Sequence, residues 1–263
     1  MKCKICGTQT KEIFKALVLS RYQITYYHCS ACDFVQTEEP YWLAEAYQVP
    51  ISNTDTGILA RNMTLARIVT VLIYFLYDKN SLCVDYAGGY GIFTRLMRDI
   101  GFDYYWYDPY AHNICASGFE YSPQQKNIGL VSAFECFEHF ANPRGEIEKM
   151  LSIAPHIIFT TDFLPSPIPA PDAWWYYACE QGQHIAFYRA KTFDYIAQQY
   201  GLSFYSHWGI HLLSRKRINQ RYFQMLVEWS NRGLFQVIKR HMKSRTVDDR
   251  ALCLREKNTL GAP

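Results

Sequence analysis

The chain has 263 residues, 49% of them hydrophobic, which is enough for one sizeable core and a small accessory unit. The formal net charge is only +3 at pH 7, so composition provides no strong electrostatic field for nucleic acid. The chain opens with MKCKIC rather than an apolar signal region, and its longest apolar stretch, residues 68–77, is shorter than the about 20 residues that a bilayer requires. We therefore expect a cytoplasmic protein without a membrane span.

Two Cys-x-x-Cys pairs lie near the N-terminus, Cys3 with Cys6 and Cys29 with Cys32, separated by 22 residues. Each pair provides two thiolates on one tight turn, and together they complete a tetrahedron. The spacing predicts a structural zinc ribbon over residues 1–36. Such a short unit buries too little apolar surface to fold alone, so the metal would stabilise the fold. Iron in the same cage and a redox dithiol are the alternatives.

Residues 37–80 are expected to be a linker and a helical cap. The helical pattern starts near Asn53, and Thr54 or Asp55 is the expected N-cap of the helix.

A glycine-rich turn follows the first predicted strand of the next segment. An apolar run ends in Asp85, the turn contains Gly88, Gly89 and Gly91, and a second aromatic strand ends in Asp108. Strand, glycine turn, helix and a second strand with an acidic end form half of a nucleotide-binding doubly wound sheet. No glycine stands three residues beyond Gly91, and Asp85 would repel a pyrophosphate but suit a cationic amino group. The turn therefore favours S-adenosylmethionine over NAD.

Two motifs resemble those of class I S-adenosylmethionine-dependent methyltransferases. VDYAGGYG at residues 84–91 is similar to their first motif, with Ala87 in place of the first glycine. SAFECFEHFANP at residues 132–143 is similar to their fourth strand and the following turn, where a Glu-His pair is frequent. The resemblance covers roughly residues 81–161 and implies an α/β fold with a Rossmann-like seven-stranded sheet. The alanine would matter if its position requires a positive φ.

The cofactor contacts follow from the turn and from this resemblance. Asp108 is expected to take the ribose hydroxyls, Phe119 to stack on the adenine, and Arg61 or Asn62 to reach the cofactor carboxylate. Glu135 is expected at the cleft. The full expected set is Asp85, Ala87, Gly88, Gly89, Gly91, Asp108, Pro109, Phe119, Glu135, Arg61 and Asn62.

An unusual segment, residues 162–190, is expected to be a lid inserted in the methyltransferase domain. Alternating prolines at its start favour an extended, polyproline-like strap. Its GQHIAFY stretch resembles the site loop of bacterial sugar methyltransferases, which also carry an N-terminal cysteine zinc unit. On that resemblance His184 takes the place of the catalytic histidine and Gln183 replaces the preceding acid. The deoxysugar C-methyltransferases among these relatives have a further C-terminal domain, so the length of this chain favours O-methylation.

Roles for the acceptor side follow. His184 is the expected general base, Glu180 would orient it, and Asp162 is the second candidate base. Stacking on sugar faces is expected from four aromatic residues, and a structural hydrogen bond near the substrate is expected from His139. The four aromatic residues are Trp174, Trp175, Tyr176 and Tyr177.

The expected organisation is therefore a ribbon at 1–36, a linker at 37–80, a methyltransferase domain at 81–216, and a C-terminal helix and tail at 217–263. The expected function is methylation of a sugar, nucleotide sugar or surface-polysaccharide precursor. An RNA methyltransferase is one alternative, disfavoured by the mild net charge and by the lack of a basic arm at the ribbon. A non-catalytic cofactor-binding module is the other, disfavoured by the retained Asp85, Gly89, Gly91 and Asp108. The basic KRHMKSR cluster is expected to be a solvated helix end.

Overall fold

The computed structural model describes residues 1–48 and 55–260, without the side chains of 256–260. The expected cap residue Thr54 and the predicted helix start at Asn53 lie outside the described residues. Two compact units are present: Met1–Thr54 with Ala133–Arg217, and Asp55–Ser132 with Ile218–Pro263. The strands in chain order are β1 (Lys11–Val18), β2 (Tyr22–Cys29), β3 (Phe34–Thr37), β4 (Leu82–Tyr86), β5 (Asp103–Tyr107), β6 (Ile128–Ala133), β7 (His156–Thr160), β8 (Ala186–Phe187), β9 (Ser203–His207) and β10 (Ile210–Ser214). The helices are α1 (Leu43–Ala46), α2 (Ile58–Leu76), α3 (Ile92–Ile100), α4 (Pro143–Ile153), α5 (Ala190–Tyr200), α6 (Gln220–Trp229), α7 (Phe235–Lys239) and α8 (Thr246–Leu260).

The first unit contains the cysteine-rich N-terminus as part of a four-stranded antiparallel sheet in the order β1-β2-β3-β8. Its fourth strand comes from residues 186–187, far along the chain, and Val35 faces Phe187 across the pair. Beneath the sheet, the Tyr26 ring packs 5.7 Å from the ring of Tyr177 and 6.0 Å from that of Phe187. This small sheet therefore shares its core with the residues expected to form the lid.

The rest of this unit is built on three antiparallel strands in the order β7-β10-β9, with α4 and α5 beside them. An aromatic core packs on these strands. The Phe137 and Phe159 rings stack at 4.2 Å between centroids, and Phe193 packs 4.7 Å from Phe159. The 3-10 turn Phe137–His139 is thereby fixed to β7, which positions the Glu-His pair that it carries.

The second unit has β4 between β5 and β6, all three parallel, with Asp85 in register with Trp106 on one side and Ser132 on the other. Helix α3 begins after Gly91 and ends at Gly101, whose φ is +128°. Parallel order places the ends of these strands, and hence Asp85 and Asp108, at one edge of the sheet.

The sheet that contains β4 has six described strands rather than the expected seven. The difference lies between β5 and β6, where only an isolated parallel bridge joins Trp106 to Glu120. The Trp106 N–H donates to the Phe119 carbonyl and the Tyr121 N–H to the Trp106 carbonyl. The short segment is interrupted by Gly118, at φ +88°, and by Pro123, and neither residue favours a regular strand there.

Helix α2 extends beyond the apolar run at residues 68–77, as the predicted helical pattern does. It spans Ile58–Leu76, and by length and composition alone this 19-residue helix, with mean hydropathy 1.5, would suffice to cross a membrane. In the structure, 44% of its most apolar window is buried. The helix packs against α3, α6 and α7 within its own unit.

The C-terminal helical region is divided rather than continuous. Helix α6 runs into a π-helical segment, Ser230–Leu234, in which Arg232 and Gly233 leave helical geometry, and α7 follows at once. The glycine has φ +106°, a conformation that interrupts a regular helix at little steric cost.

Candidate functional site

The four N-terminal cysteines converge at one point. Their sulfur atoms all lie within 4.8 Å of one another, with Cys3 Sγ 3.6 Å from Cys32 Sγ and Cys6 Sγ 3.4 Å from Cys29 Sγ. These distances are too long for disulfides but are close to the about 3.8 Å between sulfurs around a tetrahedral zinc ion. The hydrogen bond between Cys3 and Cys32 lowers the pKa of Cys3 to about 5 and raises that of Cys32, so a bound metal ion would have to displace protons from the cluster. The cluster therefore fits a four-cysteine metal site.

A charged network surrounds this cluster. His28, the neighbour of Cys29, binds Asp33 Oδ1 through Nε2 at 2.8 Å, so its ring is committed outside the cluster. Arg189 Nη1 lies 3.4 Å from the same oxygen. Burial alone would raise the pKa of Asp33, but the hydrogen bond to His28 and the charge of Arg189 outweigh it and hold that pKa below its ordinary value.

The glycine turn after β4 is as tight as its composition predicts. Ala87 has φ +56°, the left-handed conformation that favours glycine, so its substitution for the first glycine of the motif is strained. A Cβ atom at Gly88 would lie 2.7 Å from Trp106 Cδ1 and 2.8 Å from Asp85 Oδ2. Gly91 has φ +80°, and a Cβ there would lie 2.5 Å from Asn113 Oδ1. Only glycine fits the last two positions.

The two acids flanking the turn are held in different ways. Asp85 is buried and accepts hydrogen bonds from the Thr94 and Ser132 hydroxyls, both at 3.0 Å. Burial raises the pKa of its carboxyl to about 7, although these hydrogen bonds oppose the rise. Asp108 accepts from the Gly89 N–H at 2.9 Å through Oδ2 and from the Tyr110 and Ala111 N–H groups through Oδ1. The Asp108 carboxylate thus stabilises both the glycine turn and the turn that follows Asp108 itself. Its contact with the cofactor ribose stays a prediction.

Two further expected cofactor contacts are occupied by protein groups. The Phe119 ring is 5% exposed and the Arg98 guanidinium lies 3.7 Å above it, so one face is covered. Arg61 forms an ion pair with Asp55 at 2.6 Å, and Asn62 Nδ2 donates to the Ile58 carbonyl. Stacking by Phe119 and carboxylate binding by Arg61 or Asn62 stay predictions, and Pro109 lies on the surface beside Asp108.

A second cluster of polar side chains lies in the first unit, which also contains the four cysteines. Glu138, His139 and His184 each offer one ligand atom within 4.8 Å of the others, and the two imidazole rings are perpendicular with centroids 4.9 Å apart. Burial lowers the pKa of His139 to about 3, with His184 contributing, and burial lowers that of His184 to about 4, so both rings are neutral near pH 7. Burial and the nearby Glu135 raise the pKa of Glu138 to about 8.

A family model described as a methyltransferase domain matches residues 59–207, more than half of the chain. The chain belongs to this methyltransferase family. With the glycine turn and its two acids in place, it is an S-adenosylmethionine-dependent methyltransferase. Among curated proteins, none matches the chain.

Several solved structures of methyltransferases are similar to this one. Magnesium protoporphyrin IX methyltransferase from Synechocystis PCC 6803, with bound S-adenosylmethionine, has a TM-score of 0.39 at 12% identity, over 66% of this chain and 90% of that one. The calicheamicin-biosynthesis methyltransferase CalO1, bound to S-adenosylhomocysteine, has a TM-score of 0.43 at 10% identity, over 67% of this chain and 60% of that one. Human N-acetylserotonin methyltransferase, with S-adenosylmethionine, has a TM-score of 0.40 at 14% identity, over 67% of this chain and 66% of that one.

The methyltransferase orients His184 differently from the expectation. Glu180 is exposed, and the His184 Nδ1 atom is instead bound by the Tyr176 carbonyl at 2.7 Å. The loop therefore uses a backbone carbonyl where the sequence suggested a carboxylate. Asp162 is exposed to solvent, although the protein groups around its carboxyl desolvate it in part and raise its pKa.

The four aromatic residues expected to stack on a sugar divide into two groups. Tyr176 and Tyr177 are buried, the first with its hydroxyl 3.2 Å from Thr161 Oγ1 and the second donating to the Pro169 carbonyl. Both belong to the protein core, which corrects their expected role as sugar platforms. Trp175 is 75% exposed, and Trp174 is partly buried against the core.

Sequence reasoning missed several residues that shape these sites. Trp106 donates from Nε1 to the Gly89 carbonyl and lies under Gly88, and its position opposite Asp85 follows only from strand register. Thr160 donates to Glu135 at 2.6 Å, and its own hydroxyl accepts from the Glu135 N–H. Glu138 belongs to the Glu-His motif, but its burial, which the sequence does not reveal, is what distinguishes it from a surface acid.

Proposed function

We propose that this methyltransferase methylates a hydroxyl oxygen of a sugar-containing acceptor, such as a nucleotide sugar or a surface-polysaccharide precursor, with His184 as general base. The observation that carries the proposal is the hydrogen bond between His184 Nδ1 and the Tyr176 carbonyl. A carbonyl only accepts, so Nδ1 carries the proton and Nε2 keeps its lone pair. A neutral imidazole fixed in this tautomer presents the Nε2 lone pair as the acceptor of the proton.

The cofactor end is assigned to the glycine turn. When bound, S-adenosylmethionine supplies a methyl group made electrophilic by its sulfonium. We assign Asp85 to its ammonium group, because a buried carboxylate favours a cation, and Asp108 to its ribose hydroxyls. Gly88 allows the turn to close beside Asp85, because any side chain there would meet Trp106 and Asp85.

The acceptor end is assigned to the His184 loop. Trp175 presents an exposed indole, a surface suited to the apolar face of a sugar ring. His184 would remove the hydroxyl proton as the oxygen–methyl bond forms, since an alcohol loses its proton reluctantly. The loop similarity to sugar methyltransferases supports this acceptor class. We also assign zinc to the four cysteines, because a complete thiolate set leaves no open position and suits a structural ion.

The test replaces His184 by Ala and measures S-adenosylhomocysteine release with a panel of nucleotide-linked hexoses. Turnover should fall by about 10²-fold or more, while affinity for S-adenosylhomocysteine stays within about twofold. His241→Ala, at an exposed position whose ring also binds a backbone carbonyl, is the matched control. Unchanged turnover under conditions where chemistry limits the rate would remove His184 as the base. A wild-type protein that binds S-adenosylhomocysteine but methylates none of the panel would refute the sugar assignment.

A further inference from the structure

We propose that Glu138, His139 and His184 form a second metal site, distinct from the four cysteines, which binds a divalent transition-metal ion. One donor atom from each residue lies within 4.8 Å of the other two. Two imidazoles and a carboxylate are a ligand set that suits zinc, cobalt and iron(II). Three protein ligands would leave a coordination position open.

Both histidines are oriented as metal ligands are. His139 Nδ1 lies 3.2 Å from the Gln183 carbonyl, and His184 Nδ1 lies 2.7 Å from the Tyr176 carbonyl. Each Nδ1 must therefore carry the proton, which leaves the lone pair on Nε2. Ligating histidines characteristically donate their other N–H to a carbonyl or carboxylate in this way. Gln183 is itself fixed, because its Nε2 donates to the Ala46 carbonyl at 2.8 Å.

Glu138 supplies an independent observation. Its side chain is 1% exposed, and its Oε2 atom has no hydrogen-bond partner among the residues that the structure describes. Burial raises the pKa of this carboxyl group, and the nearby Tyr176 and Thr161 hydroxyls oppose that rise. An unsatisfied buried carboxyl oxygen is costly, and a bound cation would replace the carboxyl proton and satisfy that oxygen.

The distances require only a modest contraction. His139 Nε2 lies 4.0 Å from Glu138 Oε1, whereas donors around a tetrahedral zinc ion lie about 3.3 Å apart. Glu138 and His139 both lie on the 3-10 turn Phe137–His139. The His184 segment is bound to this turn because the Ile185 N–H donates to the Glu138 carbonyl at 2.8 Å. The backbone on both sides of the site is therefore held together, and the contraction falls on the side chains.

The consequence for catalysis rests on the proposed function. An ion at this site would use the His184 Nε2 lone pair that the general base also needs. Ion binding and proton removal by His184 therefore exclude each other, so an added divalent ion should inhibit methyl transfer by competing for one lone pair.

The test uses the full-length protein with its cysteine site already filled with zinc, and titrates it with Co²⁺ while following absorption and bound cobalt. Wild type should take up one cobalt ion without a sulfur-to-cobalt charge-transfer band, since the ligands are nitrogen and oxygen. Glu138→Gln and His184→Ala should each weaken this binding by at least about tenfold. His241→Ala should leave it unchanged. In wild type, the bound cobalt should also lower turnover.

The site would be overturned if wild type bound no cobalt ion. It would also be overturned if both folded variants, Glu138→Gln and His184→Ala, bound cobalt as tightly as wild type. Full turnover with cobalt bound would overturn the competition. Cobalt uptake is read without any acceptor, so a failed metal site and a failed acceptor assignment give different results.

Discussion

At the scale of single residues, Ala87 shows what the glycine turn costs this chain. Its φ of +56° is the conformation for which the family motif has glycine. Neighbouring constraints hold it there, because the Gly88 N–H donates to the Tyr107 carbonyl and the Gly89 N–H to Asp108. The left-handed conformation costs an alanine roughly 1 kcal/mol, which the hydrogen bonds of the next two residues offset.

Replacing Ala87 by Gly should therefore stabilise the protein by up to about 1 kcal/mol in urea denaturation, less the added entropy of the unfolded chain. Ala154, at the end of α4 with φ −145°, is the control position. Ala154→Gly should be neutral or destabilising because an ordinary backbone gains nothing from glycine. A loss of stability in Ala87→Gly equal to that of the control would show that position 87 is unstrained.

At the scale of elements, helix α8 is fastened to α3 by a buried ion-pair network. Asp249 binds Arg98 through both oxygens, at 2.7 and 2.8 Å, and also binds Arg95 at 2.7 Å. The Arg98 side chain is 1% exposed and that of Asp249 3%. Arg98 also covers the Phe119 ring, so this network holds in place the residue predicted to stack on the adenine.

Asp249→Asn should destabilise the protein by about 2–3 kcal/mol, because the buried Arg98 guanidinium loses one of its two counter-charges and keeps only Asp103, at 2.8 Å. Burial opposes ionisation of Asp249, but its two arginines outweigh burial and hold its pKa below the ordinary value. Asp248→Asn, at an exposed residue 3.5 Å from Lys243, should change stability by less than about 0.5 kcal/mol. Similar melting temperatures for the two variants would contradict a structural role for the network.

Elements with a strong periodic pattern could be predicted from sequence, and elements set by distant pairing could not. The glycine turn, α3 and the β9–β10 pair follow from local signals, and the structure contains them. The two-residue strand β8 has no signal of its own, since it exists only where β3 offers a free edge. Tyr177 looked like a ligand platform because its burial depends on a residue far away in sequence. It packs against Tyr26, which also lies next to Cys179 although 153 residues separate those two.

At the scale of the whole molecule, the four cysteines and the His184 segment belong to one compact unit formed from separate parts of the chain. The sheet order β1-β2-β3-β8 links them by backbone hydrogen bonds. A metal at the cysteines would thus stabilise more than the N-terminal residues.

Removing metal with a chelator, or replacing Cys29 by Ser, should speed amide exchange in β2, β3 and β8 together. Protection of β4, in the other unit, should change little by comparison. Cys115→Ser, an exposed cysteine outside the cluster, is the matched control and should leave all four strands protected. Exchange confined to residues 1–32 would show that the sheet does not depend on the metal.

The pairing of β3 with β8 also determines which parts of the chain could be exchanged with a relative. Val35 faces Phe187 and Gln36 faces Ala186, so the N-terminal cysteine segment and the loop after His184 share one interface. A chimera that received only a foreign N-terminus would pair a foreign β3 with the native β8, so the two facing sets of side chains would not match. These two segments, distant in sequence, should therefore covary, and recombination should preserve them as a single cassette.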